Sequence, residues 1–306
     1  MFGIDLVLLI PALMISATPV LLAAIGEAVV EKSGVLNLGV EGMMITGAVI
    51  GFIIAVNTQI PIYGFICAAF AGALLSVIFA ILTQYMMSNQ VATGLGLTMV
   101  GLGLSALIGK PYEGIKSPTL TKLEIPILSD IPILGPMIFS HDAIVYFSIF
   151  IIASVAFIIK KTRIGLILRA VGENQDAAHA LGYKVIRIRF IAIMFGGATA
   201  GIGGAYISLA RVPQWTEGMT AGAGWIALAL VVFASWKPWR VLVGAYLFGG
   251  ITVLQLNLQA IGVAIPVEIL SMSPYLVTIV VLVGISLFGH HTCLLYTSPS
   301  PRDKMQ

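Results

Sequence analysis

Lys160–Arg189 reads KKTRIGLILRAVGENQDAAHALGYKVIRIR, a polar stretch with strongly apolar runs on both sides. It carries Lys160, Lys161, Arg163, Arg169, Lys184, Arg187 and Arg189, seven of the chain's 16 Lys and Arg, against only Glu173 and Asp176. A basic loop between membrane spans belongs on the cytoplasmic side, so this stretch predicts the orientation of its neighbours. Its centre, GENQDAAHALG, predicts a short helix. Asn174 suits the N-cap, Gln175 to Leu181 favour helix, and Gly182 can end it. A helix held in a cytoplasmic loop of a membrane protein suggests docking to something soluble.

Working outward, 59% of the 306 residues are hydrophobic and 9% charged. Soluble domains run near 45–50% and about 25%, so lipid must be the solvent here. Only helices or a closed barrel satisfy the backbone in lipid. The apolar runs are about 17–25 residues long without period-two alternation, which selects helices. The fold class predicted is therefore all-α, a polytopic membrane protein of about nine transmembrane helices. They are placed near 4–26, 38–56, 60–82, 91–109, 143–159, 190–210, 219–235, 241–260 and 274–289. The first run has no Lys or Arg before Lys32, so it is expected to be a retained span and not a cleaved leader.

Placing 160–189 inside puts the turn with Lys237 and Arg240 inside, together with Glu31 and Lys32. The N-terminus is then outside and the C-terminus cytoplasmic. The loop 110–140 falls outside despite Lys110, Lys116 and Lys122; the stronger charge bias of the central loop outweighs it. That loop is rich in Pro and Gly and predicts an extended, partly packed external cap. With Cys67 in a span and Cys293 in the tail, no disulfide framework is indicated. The net charge of +3 reports orientation and not nucleic-acid binding.

Two groups of residues stand out as candidates for a transport pathway. In Gly26–Gly47, GEAVVEKSGVLNLGVEGMMITG, the acids Glu27 and Glu41 flank a Gly-punctuated turn that also holds Asn37 and Gly39. Ionisable groups near hydrocarbon are functional candidates. The competing and favoured reading sets both acids at the water boundary, capping helix ends. Asn37 and Gly39 look more like a helix interruption that shapes a pathway. The second group is Gln255, Asn257 and Gln259, spaced two apart, so they cannot all share one helix face. In FGGATAGIGGAYISL, Gly197, Gly201 and Gly204 lie at small-residue spacings that favour close helix packing with no ligand.

Other motifs fail. Gly103 to Pro111 is one residue too long for a phosphate loop and has Pro where Ser or Thr is needed; GLG at 94–96 lacks the strand and acid of a dinucleotide turn. His290, His291 and Cys293 lack a fourth ligand, so no metal site and no cofactor is expected.

Three stretches carry a resemblance: GEAVVEKSGVLNLGVEGMMITGA, LRAVGENQDAAHALGYKVIRIRFIAIMFGGATAGIGGAYISL and GWIALALVVFASWKPWRVLVGAYLFGG. They resemble the permease subunits of bacterial ABC importers, within the branched-chain amino acid, ribose and nucleoside group. ILSDIPILGPMIF resembles the nucleoside and simple-sugar branch more than the amino-acid branch. The resemblance runs over residues 5–289 and gives a permease domain of 1–289. It implies a multi-pass subunit of the bacterial cytoplasmic (inner) membrane with no catalytic site of its own. Its partners would be cytosolic ATP-binding subunits, a second permease subunit and an extracytoplasmic substrate-binding protein or lipoprotein, in contact with membrane lipid and no nucleic acid. Arg169, Gly172, Glu173, Asn174, Ala177, Ala178 and Gly182 would form the element that couples to the ATPase. Residues 290–306 depart from the family, and TCLLYTSPSPRD resembles a translated sequencing adaptor; a natural Pro/Ser-rich end is the other reading.

A self-contained secondary transporter of a neutral polar solute is the alternative. The spans 60–109 and 241–260 hold no Asp, Glu, Lys or Arg, which argues against proton coupling. A membrane enzyme is a third possibility, but no paired carboxylates or nucleophile with its base support it.

Overall fold

The computed structural model describes residues 6–124 and 139–260, positions 135 and 137, and some positions between 272 and 284. In chain order the helices are α1 (Leu6–Lys32), α2 (Val40–Thr58), α3 (Pro61–Ala80) and α4 (Gln90–Gly109). A short antiparallel ribbon follows, β1 (Lys122–Glu124) with β2 (Ser140–Asp142), Leu123 opposite His141. Then come α5 (Ala143–Lys161), α6 (Arg163–Glu173), α7 (Gln175–Ala180), α8 (Val185–Tyr206), α9 (Ala223–Phe233) and α10 (Pro238–Ala260). Single π turns extend α3 through Tyr85 and α8 through Arg211. Among the described residues, seven helices are long and apolar enough to cross a membrane: α1 to α5, α8 and α10.

Side-chain caps start several of these helices where the sequence supplies them. Asn89 accepts from Ala92 N for α4, and Asp142 accepts from the Ile144 and Val145 amides for α5. Pro61 opens α3, where its missing amide leaves no orphan donor. In lipid, helices gain by close packing and not by escape from water, and glycine permits the closest approach. The central helix is α8, set against α1, α2 and α3. A Cβ added at Gly201 would lie 2.2 Å from the Ala68 carbonyl oxygen, and one at Gly204 only 1.8 Å from that of Met44. The packing reading of this glycine stretch holds.

Contacts sort the helix ends into two groups. At one end, Leu36 N donates to Gln90 Oε1, and Arg189 reaches Ser33. Trp236 Nε1 donates to Glu31 at this same end. Lys32, the seven cations of the central loop, Lys237 and Arg240 all gather there, so it is the basic end. At the opposite end, Asn57 donates to Tyr112, Ser117 N donates to the Pro213 carbonyl, and Tyr206 donates to Asp142.

The structure revises three expected spans. The first runs on to Lys32, so Glu27 and Glu31 are still helical. The span expected at 190–210 starts at Val185 and takes in Arg187 and Arg189. The span expected at 219–235 is an 11-residue helix, α9. At 1.5 Å per residue it reaches about 16 Å, half a hydrocarbon core. The residues ahead of it cannot extend the helix, because Gly218, Ala221 and Gly222 have φ of +67°, +46° and +83°. Residues 274–289 and the tail 290–306 fall largely or wholly outside the described residues, so a count of nine is not established.

Candidate functional site

The centre of interest is where α2 and α9 both begin, well inside the bundle. From Ser33 to Gly39 the chain climbs beside α4: Thr98 Oγ1 donates to Leu38 O, and a Cβ at Gly94 would lie 2.8 Å from Gly39 N. Gly42 faces Leu97 and Thr98, about two turns along α4 from Gln90. Glu41 therefore sits roughly 10 Å inside the basic end, about a third of the way into a 30 Å hydrocarbon layer. On its other side, residues 212–222 descend from the opposite end without regular structure. Irregular backbone at this depth is tolerated only inside protein, where its polar groups find partners.

Glu41 supplies those partners. Its Oε1 accepts from Thr220 Oγ1 at 2.5 Å and from Gly222 N at 3.0 Å, and its Oε2 accepts from Gly224 N at 2.7 Å. The carboxylate thus closes the N-terminus of α9, where the aligned peptide dipoles favour negative charge. No Cβ fits at Gly224, which would lie 2.6 Å from the Glu41 backbone. Glu31 holds the other end of α9 through Trp236. Both ends of the half-span are fixed by acids from α1 and α2.

Glu27 is fully buried one turn above Glu31. It accepts from Asn37 N at 3.3 Å and Asn37 Nδ2 at 3.5 Å, while Asn37 Oδ1 accepts from Gly39 N at 3.0 Å. Asn37 thereby sets the turn that launches α2. The expectation that Glu27 and Glu41 sit at the water boundary is corrected by this burial. Glu41 does cap a helix end, though of α9 and not of its own helix.

At the basic end, α6 and α7 stand outside the spans. Thr162 Oγ1 accepts from Gly165 N to start α6, and Asn174 Oδ1 accepts from Ala177 N at 2.9 Å to start α7. Gly182 ends α7 with φ +85°. The expected Asn174-to-Gly182 helix is present. Gly172 lies against α1, since a Cβ there would come 2.1 Å from Lys32 O. Arg169, Glu173, Asn174 and Ala177 are exposed. Ala178 is buried in a small core with Val171 and Val185, so it serves the pair's own packing and does not offer the free docking surface expected of it. Arg189 is more than a topology signal: it is buried, its Nε donates to Ser33 O at 3.0 Å, and its Nη1 donates to Gln175 Oε1 at 2.9 Å. One guanidinium joins α7 to the turn that carries Asn37.

The described part of the bundle therefore has two features with mechanical meaning: a broken span fixed by Glu41, and an external helix pair tied to the same region through Arg189. A comparison with known families identifies the scaffold. The family described as "branched-chain amino acid transport system / permease component" matches residues 9–285. The chain belongs to this family. A Haloferax volcanii protein provisionally named a glucose ABC transporter permease is 38% identical over 296 residues, covering 90% of each chain. The guanosine ABC transporter permease of Bacillus subtilis is 34% identical, covering 90% of this chain and 91% of its own. The nucleoside ABC transporter permease of Lactococcus lactis is 30% identical with the same shares. No solved structure gives a significant match.

In the permease Asn37 and Gly39 share one turn through Asn37 Oδ1, whereas the Glu41 side chain faces Thr220 and the start of α9. Gln255 and Asn257 are elsewhere. They lie five turns along α10 from Pro238, toward the opposite end, and Asn257 Nδ2 donates back to Val253 O of its own helix. Sequence reasoning missed Thr220, Gly222 and Gly224, which looked like part of a continuous span, and Arg189, which looked like a topology signal.

Proposed function

We propose that this ABC permease moves a nucleoside or simple sugar across the cytoplasmic membrane, driven by ATP hydrolysed on separate subunits. A second permease subunit would complete the pathway, and an extracytoplasmic binding protein or lipoprotein would deliver the solute. The basic end faces the cytoplasm, with the N-terminus outside and 110–140 external. The permease does no chemistry itself; its pathway includes Asn37, Gly39 and Glu41, with Gln255 and Asn257 farther along. The observation that carries the reading is the α6–α7 pair, an exposed capped element braced on α1 by Gly172 and joined to the Asn37 turn by Arg189. Closure of an ATPase against Arg169, Glu173, Asn174, Ala177 and Gly182 would push that turn and, through α2, the Glu41 contact. The named substrates of three relatives support the solute class.

The test is uptake of labelled guanosine and glucose by the complex reconstituted with its ATPases and binding protein. Saturable, ATP-dependent uptake of one of them supports the reading. Transport confined to branched-chain amino acids, or uptake without ATP, refutes it.

A further inference from the structure

A cleft of about 520 Å³ opens between α5, α6 and α8, with Val29 of α1 at its back. Ser154 and Tyr183 are the only lining side chains with a polar atom. The lining on α5 runs from Ile159 up to Phe150, and on α8 from Ile188 up to Phe195. From Lys160 to Phe150 is ten residues, a rise of about 15 Å, which is the depth of one leaflet. A soluble protein has no means of filling such a slot.

Cations flank the lining in the chain at its basic end. Lys160 follows the lining residue Ile159, Arg163 precedes Ile164, Lys184 follows Tyr183, and Arg187 precedes Ile188. All four cations are exposed, and among the described residues none has an acidic partner. The remaining apolar run of the chain, 261–289, offers Glu268 as its only acid, a poor match for this rim. We propose that the cleft is a binding site for one anionic phospholipid of the leaflet at the basic end. Its acyl chain lies between α5 and α8 and its phosphate meets the Lys160, Arg163, Lys184 and Arg187 rim. Apolar burial holds the tail, and clustered Lys and Arg at the membrane surface select the negative headgroup. Because Ile164 and Leu168 of α6 form part of the wall, the lipid joins the external helix pair to the spans.

The experiment measures phospholipid retained by the full-length protein, with its co-purifying subunits, after exchange from bilayers of mixed phosphatidylglycerol and phosphatidylcholine into mild detergent. Wild type is expected to keep phosphatidylglycerol in preference. The double variant Lys160→Gln/Arg163→Gln lies outside the lipid and should fold normally. Each lost cation lowers the preference about fivefold, so the pair loses about thirtyfold. Ser154→Trp fills the cleft with the charges intact and should abolish retention while the protein still inserts and co-purifies with its subunits. Equal retention of both lipids by wild type, or unaltered preference in the charge variant, overturns the proposal. So does a disulfide joining Ser154→Cys to a cysteine placed in 274–289 or in a second permease subunit, because the occupant is then protein.

Discussion

Glu41→Gln keeps the shape of the side chain and removes its charge, so it isolates what the carboxylate does for α9. Three donors converge on it at 2.5, 3.0 and 2.7 Å. The amide oxygen can still accept from Thr220 and Gly222, but as a neutral group. The amide nitrogen meets the Gly224 N–H donor to donor. Hydrogen bonds to charged groups contribute about 1.5–3 kcal/mol and neutral ones about 0.5–1.5, while a buried orphan donor costs about 1–3. Two weakened bonds, one lost bond and the lost interaction with the helix dipole give a destabilisation of about 3–5 kcal/mol. Thr220→Val leaves the carboxylate with both amides and should cost about 1–2 kcal/mol. The assay is equilibrium unfolding in mixed micelles of wild type, both single variants and the double variant. If the contact is direct and energetic, the cycle yields a coupling of about 1–2 kcal/mol. Additivity within about 0.5 kcal/mol, or a Glu41→Gln loss under about 1 kcal/mol, refutes the idea that this carboxylate holds the half-span.

Arg189→Ala should cost about 2–3 kcal/mol, since it strips the Ser33 carbonyl and Gln175 of a charged donor, while Arg187→Ala stays within about 0.5; the same unfolding assay compares them. Ala177→Arg should leave unfolding unchanged and break ATPase co-purification. Ala178→Arg should instead destabilise the permease by about 2–4 kcal/mol through its buried site, and loss of partner binding without loss of stability would contradict that. Orientation is checked by impermeant thiol labelling of Lys116→Cys and Asp176→Cys, both exposed positions, in a Cys-free background. Only the first should react from outside, and labelling of the second in intact spheroplasts reverses the topology.

Features whose causes are local were legible in the sequence. The Asn174 cap and the Gly182 stop depend on residues within a few positions of each other, and the apolar lengths announce the full spans. The helix α6 was legible too: Ile164, Ile167, Leu168 and Val171 recur at helical spacing, within a stretch whose charges drew the reading toward topology. The half-span was not legible, because hydropathy reads composition and not the positive φ values that interrupt 218–222. Arg189 and Glu41 were misread for a different reason. Ser33 lies 156 positions from Arg189 and Thr220 lies 179 from Glu41, and without such partners a charged side chain near a span end looks like a boundary marker.

That separation also has a consequence in time. Glu41 leaves the ribosome 179 residues before Thr220. At roughly 5–20 residues per second, the carboxylate waits about 10–40 s for its donors. During that interval α2 carries an acid without its donors into the hydrocarbon layer, where such groups are poorly tolerated. Until the descending segment is made, protonation of the carboxyl or a shallower seat for the start of α2 lowers that cost. Synthesis of the 212–224 stretch is then the event that supplies the carboxylate with all three of its donors.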